Sequence, residues 1–138
     1  MSKEIKEDAL DGFLRGDIEA SGTDNLVYLK RFKNPFKIRA ITGAEDKAIK
    51  EQCYTLVGKG RFAKKQFDID KYNNLLLAES IVSPNLNSAT LQDEWGVKTP
   101  EALLNTMLLI GEIGILNLKV QDINGFDNLD ETVDEAKN

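Results

Sequence analysis

Residues that begin helices recur along this chain, and they limit its fold more than any other feature. Thr42-Gly-Ala-Glu45 matches a capping box, in which the Thr42 hydroxyl and the Glu45 carboxylate each accept a free amide of the first turn. Thr99-Pro100-Glu101 combines a cap with a first-turn proline and an acidic residue. The other predicted helix starts are Asp68 or Asp70 and Ser88.

The first two predicted helices have apolar residues at helical spacing and a stop at the far end. The first runs from Thr42 to the turn Gly58-Lys-Gly60, and the second runs to about Val82, where Ser83-Pro84 stops it. The apolar face of the first consists of Ala48, Ile49, Cys53 and Leu56. The second is apolar over most of its surface, so it is predicted to lie at the centre of the domain.

The C-terminal part predicts three further helices. The first of them turns Leu91 and Trp95 inward and ends at Gly96, Gly111 separates the next two, and the last ends at Asn124-Gly125. Their apolar faces are Leu103, Leu104, Met107 and Leu108 in one, and Ile113, Leu116, Val120 and Ile123 in the other. A stripe of this kind is core more often than a seam for self-association or partner binding, and both interpretations stay open.

A β-hairpin is predicted ahead of the helices, with strands near 26–32 and 36–41. Phe36, Ile38 and Ala40 alternate with charged residues, which is typical of a strand with one buried face. Asn34-Pro35 between the two runs supplies the turn. The predicted fold is therefore mainly α within the α+β class, a compact helical domain of about five helices with one N-terminal β-hairpin.

The charge of −5 is unevenly distributed along the 138 residues. Residues 1–24 carry seven acidic and three basic groups, and 127–138 carry five acidic groups and one basic group. Residues 25–65 carry eleven basic and three acidic groups. We predict a flexible acidic arm at 1–24, one folded domain at 25–126 and a disordered acidic tail at 127–138.

The chain has no histidine and one cysteine, Cys53. Imidazole ligands, histidine bases and internal disulfides are thereby excluded, so we predict a protein that is not an enzyme and takes no cofactor or metal. No stretch approaches the roughly 18 apolar residues of a membrane span, and the N-terminus has no apolar signal core. A cytoplasmic protein is expected.

Three motifs point weakly to other chemistry. Gly58-Lys-Gly60-Arg-Phe-Ala63 matches a dinucleotide-binding pattern, but the segment before it is predicted as helix, so a basic loop is favoured. Asp68-Ile-Asp70 resembles the start of a calcium loop that lacks its glycine, and helix capping explains it better. The run 30–39 interleaves basic residues with phenylalanines, as in nucleic-acid-binding modules, although its alternation favours a half-buried hairpin.

Three stretches, in this order, resemble the XkdN-like family of phage tail assembly chaperones. They are Arg31–Glu45, the segments Phe67–Tyr72, Leu77–Leu86 and Leu91–Val97, and finally Leu103–Glu112 with Asn124-Gly-Phe126. The resemblance implies a chaperone of phage or prophage tail assembly, associated with contractile tails. It implies binding to the tape measure protein and help for tail tube subunits in the host bacterial cytoplasm, with absence from the mature particle. A nucleic-acid-binding module using 30–39 and a minor tail structural protein are the alternatives.

The expected partner contacts come from two apolar segments and the predicted hairpin, and self-association is a further possibility. An apolar helical partner needs an apolar groove or stripe, which 102–109 and 113–123 offer. The candidate contacts are Leu104, Met107, Leu108, Ile113, Leu116 and Val120, together with Lys30, Arg31, Lys37 and Arg39 of the predicted hairpin.

Overall fold

The computed structural model describes residues 10–15 and 25–126. The helices are α1 (Gly43–Glu51), α2 (Ile69–Ser80), α3 (Ala89–Glu94), α4 (Pro100–Met107) and α5 (Ile110–Ile123). The strands are β1 (Leu26–Val27), β2 (Phe36–Ile38), β3 (Tyr54–Val57), β4 (Lys64–Phe67) and β5 (Ile81–Ser83), with a 3₁₀ turn at Gly60–Phe62. Most of the predicted arm at 1–24, and the whole predicted tail at 127–138, lie outside the described residues.

The starts of α1 to α4 follow the predicted caps. The Thr42 hydroxyl accepts the Glu45 amide while Glu45 accepts the Thr42 amide, each at 3.2 Å, so the capping box is confirmed. Asp68, rather than Asp70, caps α2 and accepts the Lys71 amide at 3.1 Å. Ser88 caps α3 and Thr99 caps α4, as predicted.

The predicted N-terminal hairpin is present in a shorter form. Strands β1 and β2 pair antiparallel, with Val27 opposite Phe36, but they have only two and three residues. Phe36 and Ile38 are each 1% exposed and Lys37 between them is exposed, as the alternation predicted. A third strand was not predicted: β5 pairs antiparallel with β2, giving the order β1-β2-β5.

Strand β5 also ends α2 earlier than predicted. The helix stops at Ser80 instead of Val82, and Ile81–Ser83 turns into the sheet. The amide of Arg39 donates to the Ser80 carbonyl at 2.8 Å, and Ile38 lies opposite Ile81. β-Branched Ile81 and Val82 suit a strand once β2 offers free backbone groups beside them.

A second hairpin replaces the predicted end of the first helix. Helix α1 ends at Glu51, and β3 pairs in register with β4 from Tyr54 opposite Phe67 to Val57 opposite Lys64. The prediction that Leu56 lies on the buried helical face was wrong, because Leu56 is 72% exposed on β3. Gly58 turns the chain with a φ of 97°, where an added Cβ would lie 3.0 Å from the Phe62 carbonyl oxygen.

The core lies where the three-stranded sheet meets α2, α4 and α5. Helix α2 packs against α1, α4 and α5, which confirms its predicted central position. Helix α5 begins at Ile110 and includes Gly111, which therefore does not interrupt the chain between helices as predicted. The buried cluster contains Val27, Leu29, Phe36, Ile38, Leu77, Ile81, Leu86, Leu103, Leu104, Met107, Leu108, Leu116 and Val120.

Replacing a leucine of α5 by alanine should lower the free energy of unfolding on the buried side of the helix and leave it almost unchanged on the exposed side. Leu116 is 0% exposed, so Leu116→Ala removes buried surface and leaves a cavity, which should lower the free energy of unfolding by about 2–5 kcal/mol. Leu118, on the same helix, is 68% exposed, and Leu118→Ala should change that free energy by no more than about 0.5 kcal/mol. Urea denaturation of both variants measures the difference, and equal losses would contradict the assigned orientation of α5.

Candidate functional site

Helix α5 is held at both ends by contacts from distant parts of the chain. At its start, the Arg31 guanidinium donates to both carboxylate oxygens of Glu112, at 3.0 and 2.5 Å, and to the Met107 carbonyl at 3.0 Å. At its end, the Asn124 side-chain oxygen accepts the Ile41 amide at 2.8 Å. These contacts fix the rotation of α5 about its axis, and hence which side chains reach the surface.

Glu112 also caps the helix that it belongs to. Its carboxylate accepts the Leu109 amide at 2.8 Å, which satisfies one of the free donors at the start of α5. The hydrogen bond from Arg31 is the main reason that the pKa of Glu112 lies below its usual value, and the Leu109 amide acts in the same direction against burial. The carboxylate is therefore held in its charged form at neutral pH.

Arg39 joins β2 to two helices in a similar way. Its guanidinium donates to Glu45 of α1 at 2.7 Å and to Glu79 of α2 at 3.3 Å. The bond from Arg39 is the largest cause of the lowered pKa of Glu45, followed by the Thr42 amide. Nearby, the Tyr72 hydroxyl donates to Asp46; burial, followed by this bond, raises the pKa of Tyr72 to about 12.

The four predicted basic contacts separate into two kinds. Arg31 and Arg39 are engaged in the internal ion pairs just described, whereas Lys30 and Lys37 are exposed. Phe36, one of the rings predicted for base stacking under the nucleic-acid alternative, is buried. Within the run 30–39, the guanidinium groups of Arg31 and Arg39 and the ring of Phe36 therefore make contacts inside the folded domain.

The predicted apolar contacts lie on the inner side of α4 and α5. Ile113 is half-buried and packs against the core. The others are core residues with at most 5% exposure, namely Leu104, Met107, Leu108, Leu116 and Val120. Contact between these side chains and a partner stays a prediction, and it would require them to leave the core.

An apolar surface that the predicted stripe did not include lies on the opposite side of α5. We call it the α5 outer face, and define it as Leu109, Ile110, Gly111, Gly114, Ile115 and Leu118. Ile110 is 91% exposed, Leu118 68% and Ile115 45%, and Leu109 just before the helix is 58% exposed. At 100° per residue, the five helical members span a continuous arc of roughly 140°.

The sequence carried a signal for this surface. Ile110, Ile115 and Leu118 fall outside the 113/116/120/123 stripe, so the helix is apolar on both sides. A helix that is apolar all round is normally buried on all sides. Because only one side of α5 is covered by the described chain, the other side is a candidate contact surface.

Two glycines make the α5 outer face unusually flat. A Cβ built on Gly111 or Gly114 would have no heavy atom within 4 Å, so no neighbour in the described chain requires glycine there. Glycine within a helix costs about 1 kcal/mol relative to alanine. A second helix packing closely on this face would make use of the missing side chains.

Trp95 lies on a separate concavity and not in the core. Its predicted inward orientation was wrong, because the side chain is 40% exposed at the end of the short helix α3. It lines a cleft of about 340 Å³ together with Phe32, Pro35, Pro84 and Met107. The cleft has the apolar lining that would receive an apolar side chain of a partner.

The weak motifs of the sequence are structural. The loop Gly58–Ala63 joins two antiparallel strands, and although a strand does precede it, no helix opens after it as a dinucleotide site requires. Asp68 caps α2, and residues 69–80 that a calcium loop would use are helical. Within residues 10–15 and 25–126, no group of three or more His, Cys, Asp or Glu side chains could hold a metal ion. No helix in this part of the chain is long and apolar enough to cross a membrane.

Comparison with known proteins agrees with the small α+β fold. The family model of the phage XkdN-like tail assembly chaperone protein matches residues 10–137. A crystal structure of the protein YqbN is similar with a TM-score of 0.71 and 22% sequence identity, covering 88% of this chain and 99% of that chain. None of the curated proteins compared with the chain matches it.

The matched region spans nearly the whole chain, so this protein is a phage tail assembly chaperone by family. It belongs to the XkdN-like branch, which confirms the resemblance found in its sequence. The likeness to YqbN supports the same fold.

The ion pairs predict how stability depends on pH. The pKa values of Glu45, Asp46 and Glu112 are lowered in the folded state, so unfolding takes up protons as these groups regain their usual pKa values. The free energy of unfolding should be nearly constant from about pH 8 to 6, since the chain has no histidine, and should fall below about pH 5.

Urea denaturation across this pH range measures the effect, with Glu112→Gln as the test variant. Glu112→Gln should be less stable at pH 7 and lose less stability on acidification, because it lacks one carboxylate with a lowered pKa. Glu94→Gln, an exposed residue of α3, is the matched control and should follow the unsubstituted protein. If the stability of Glu112→Gln depended on pH as that of the unsubstituted protein does, Glu112 would not contribute to the loss of stability in acid.

Proposed function

We propose that this phage tail assembly chaperone binds the tape measure protein through the α5 outer face and acts by binding alone, without catalysis. Family membership supports the role in tail assembly. The exposed apolar arc of α5 is the observation that supports the contact surface. The proposed setting is the host bacterial cytoplasm, and the chaperone leaves before the particle is mature.

The α5 outer face suits a long apolar helix as its partner. Ile110, Ile115 and Leu118 offer apolar side chains in successive turns, and Gly111 and Gly114 leave room between them. An amphipathic helix docks by placing side chains spaced three and four residues apart into such a surface. Apolar contact is non-directional, so one face can accept many segments of a long partner in turn.

The α5 outer face carries little charge, which fits transient holding. None of its six members is charged. Lys119 lies just beside the apolar arc, and Asp122 lies on the same side of the helix one turn after Leu118. Release then requires only that another apolar surface replaces the chaperone. We propose that tail tube subunits, the second predicted partner, take over the tape measure protein as they polymerise around it.

The core residues on the inner side of α5 provide a second route to the same partner. Leu104, Met107, Leu108, Leu116 and Val120 would contact the tape measure protein only if α4 and α5 opened. The ion pair of Arg31 with Glu112 opposes that opening. We therefore favour the outer face, which needs no rearrangement.

Co-expression with the tape measure protein tests both the partner and the surface. The soluble fraction of the tape measure protein should rise with the unsubstituted chaperone and return to its level without chaperone for Leu118→Ser. Tyr28→Ser is the matched control, since Tyr28 is 73% exposed and Leu118 68%, in different parts of the fold. Both variants should keep their thermal melting, because neither side chain is buried.

Each result bears on a distinct part of the proposal. A tape measure protein that is equally soluble alone contradicts the partner. Equal rescue by Leu118→Ser and Tyr28→Ser contradicts the surface. Mass spectrometry of purified particles tests the third part, because a stoichiometric chaperone in the mature particle would favour the minor structural protein.

Replacing Gly114 by alanine should increase stability and weaken binding. Gly114→Ala should raise the free energy of unfolding by about 0.5–1 kcal/mol, because the site is helical and its Cβ meets nothing. The new methyl group should separate the partner helix from α5 and weaken the complex. Gly43→Ala, in the first turn of α1 and also in open space, is the control that should bind normally. Binding by Gly114→Ala as tight as by Gly43→Ala would exclude close helix contact at this position.

A further inference from the structure

The second hairpin, residues 54–67 with strands β3 and β4, carries a concentrated positive charge. Lys59, Arg61, Lys64 and Lys65 give it +4, and it has no acidic residue. None of these four groups has an ion-pair partner among the described residues, whereas Arg31 and Arg39 elsewhere do. The cations of the second hairpin are therefore left uncompensated by the described fold.

Apolar side chains are exposed beside those cations. Phe62 is 73% exposed, Leu56 72% and Val57 49%, and every residue of β3 is exposed. Among residues 10–15 and 25–126, the base of the second hairpin is anchored by the Asp68 amide, which donates to the Cys53 carbonyl at 2.6 Å, and by the ring of Phe67, which lies 5.7 Å from that of Tyr72. Beyond the base, cationic and apolar groups are presented together.

The chain contains one segment with the opposite composition. Residues 127–138 carry five acidic groups and one basic group, a charge of −4 against the +4 of the second hairpin. Leu129 and Val133 lie four residues apart between those acidic groups. The segment therefore has both kinds of group that a cationic and apolar surface would contact.

The segment also starts close to the second hairpin. Phe126, the last described residue, lines a cleft of about 300 Å³ with Lys50 and Tyr72. The Tyr72 ring contacts Phe67 at the hairpin base. Twelve extended residues reach up to about 40 Å, and a four-residue strand is about 13 Å long, so residues 127–138 are long enough to follow the whole hairpin.

We propose that residues 127–138 bind the second hairpin of the same molecule. The acidic side chains contact Lys59, Arg61, Lys64 and Lys65, and Leu129 and Val133 cover Leu56 and Phe62. The contact shields an apolar, cationic surface that would otherwise attract acidic partners. The second hairpin differs from the uncharged α5 outer face in location and in charge. The proposed contact of residues 127–138 therefore does not depend on the proposed function.

Paramagnetic relaxation in the full chain tests this contact. A nitroxide introduced through Ala136→Cys labels the segment, while Cys53 is 0% exposed and burial raises the pKa of its thiol, which protects it from the reagent. Amide signals of residues 58–65 should lose most of their intensity relative to the reduced label. The loss should be reversed at about 1 M salt, where charges are screened within about 3 Å.

Charge variants distinguish specific contact from simple nearness of the tail. Lys64→Gln with Lys65→Gln should restore the intensities of residues 58–62, because it removes half of the hairpin charge. Lys30→Gln with Lys37→Gln, exposed cations of the N-terminal hairpin, is the matched control and should leave the intensity loss unchanged. An equal effect of the two double variants would overturn the proposal.

Two other outcomes would also overturn it. Absence of intensity loss at residues 58–65 would show that the segment lies elsewhere. If the loss appears when spin-labelled and isotope-labelled molecules are mixed, and vanishes when the doubly labelled protein is diluted with unlabelled protein, the contact is between two copies. The soluble fraction of the tape measure protein is not part of this readout, so either proposal can fail without the other.

Discussion

The ion pair between Arg31 and Glu112 joins positions 81 residues apart, and the arrangement of the C-terminal helices depends on it. The same guanidinium bonds the Met107 carbonyl at the end of α4, and the same carboxylate caps α5 through the Leu109 amide. Four groups at one corner are satisfied together. Removing Arg31 would take the donor from the Met107 carbonyl and from the Glu112 carboxylate, and removing Glu112 would take the acceptor from the Leu109 amide, in a partly buried place. Because this corner sets the rotation of α5, it also decides that Leu116 enters the core while Leu118 faces outward.

This chaperone combines a packed core with a separate, exposed apolar surface. The inner side of α5 packs in the core and contributes to stability. The α5 outer face does not, because nothing in the described chain packs against Gly111 or Gly114. The second hairpin is a different kind of surface, which is cationic and is anchored to the described fold at its base. An exposed apolar surface and an exposed cationic surface thus lie on separate elements, and ionic strength screens the charges of the second.

Local features of the fold were predictable to within a few residues. Caps at Thr42, Asp68, Ser88 and Thr99 depend on bonds to amides no more than three residues away, so short sequence patterns report them. The alternation at Phe36 and Ile38 reported a buried strand face for the same reason. Leu56 was misplaced because its spacing from Ile49 and Cys53 suits a helix, while pairing with Lys65 on another strand gave its backbone an alternative.

The sequence by itself determined the starts of α1 to α4, the short strand around Phe36–Ile38, the α+β class and, through resemblance, the family, since each depends on neighbouring residues or on an ordered set of motifs. Only the tertiary structure decided which apolar side of α5 is buried, because both sides have suitable residues and the choice depends on Arg31 and Asn124 bonding distant groups. Tertiary structure likewise turned two candidate partner-binding arginines, Arg31 and Arg39, into internal ion-pair residues. The physical reason is that the sequence states which side chains are polar and which are apolar. The partner of a polar side chain depends on which distant segments the folded core brings within hydrogen-bonding distance.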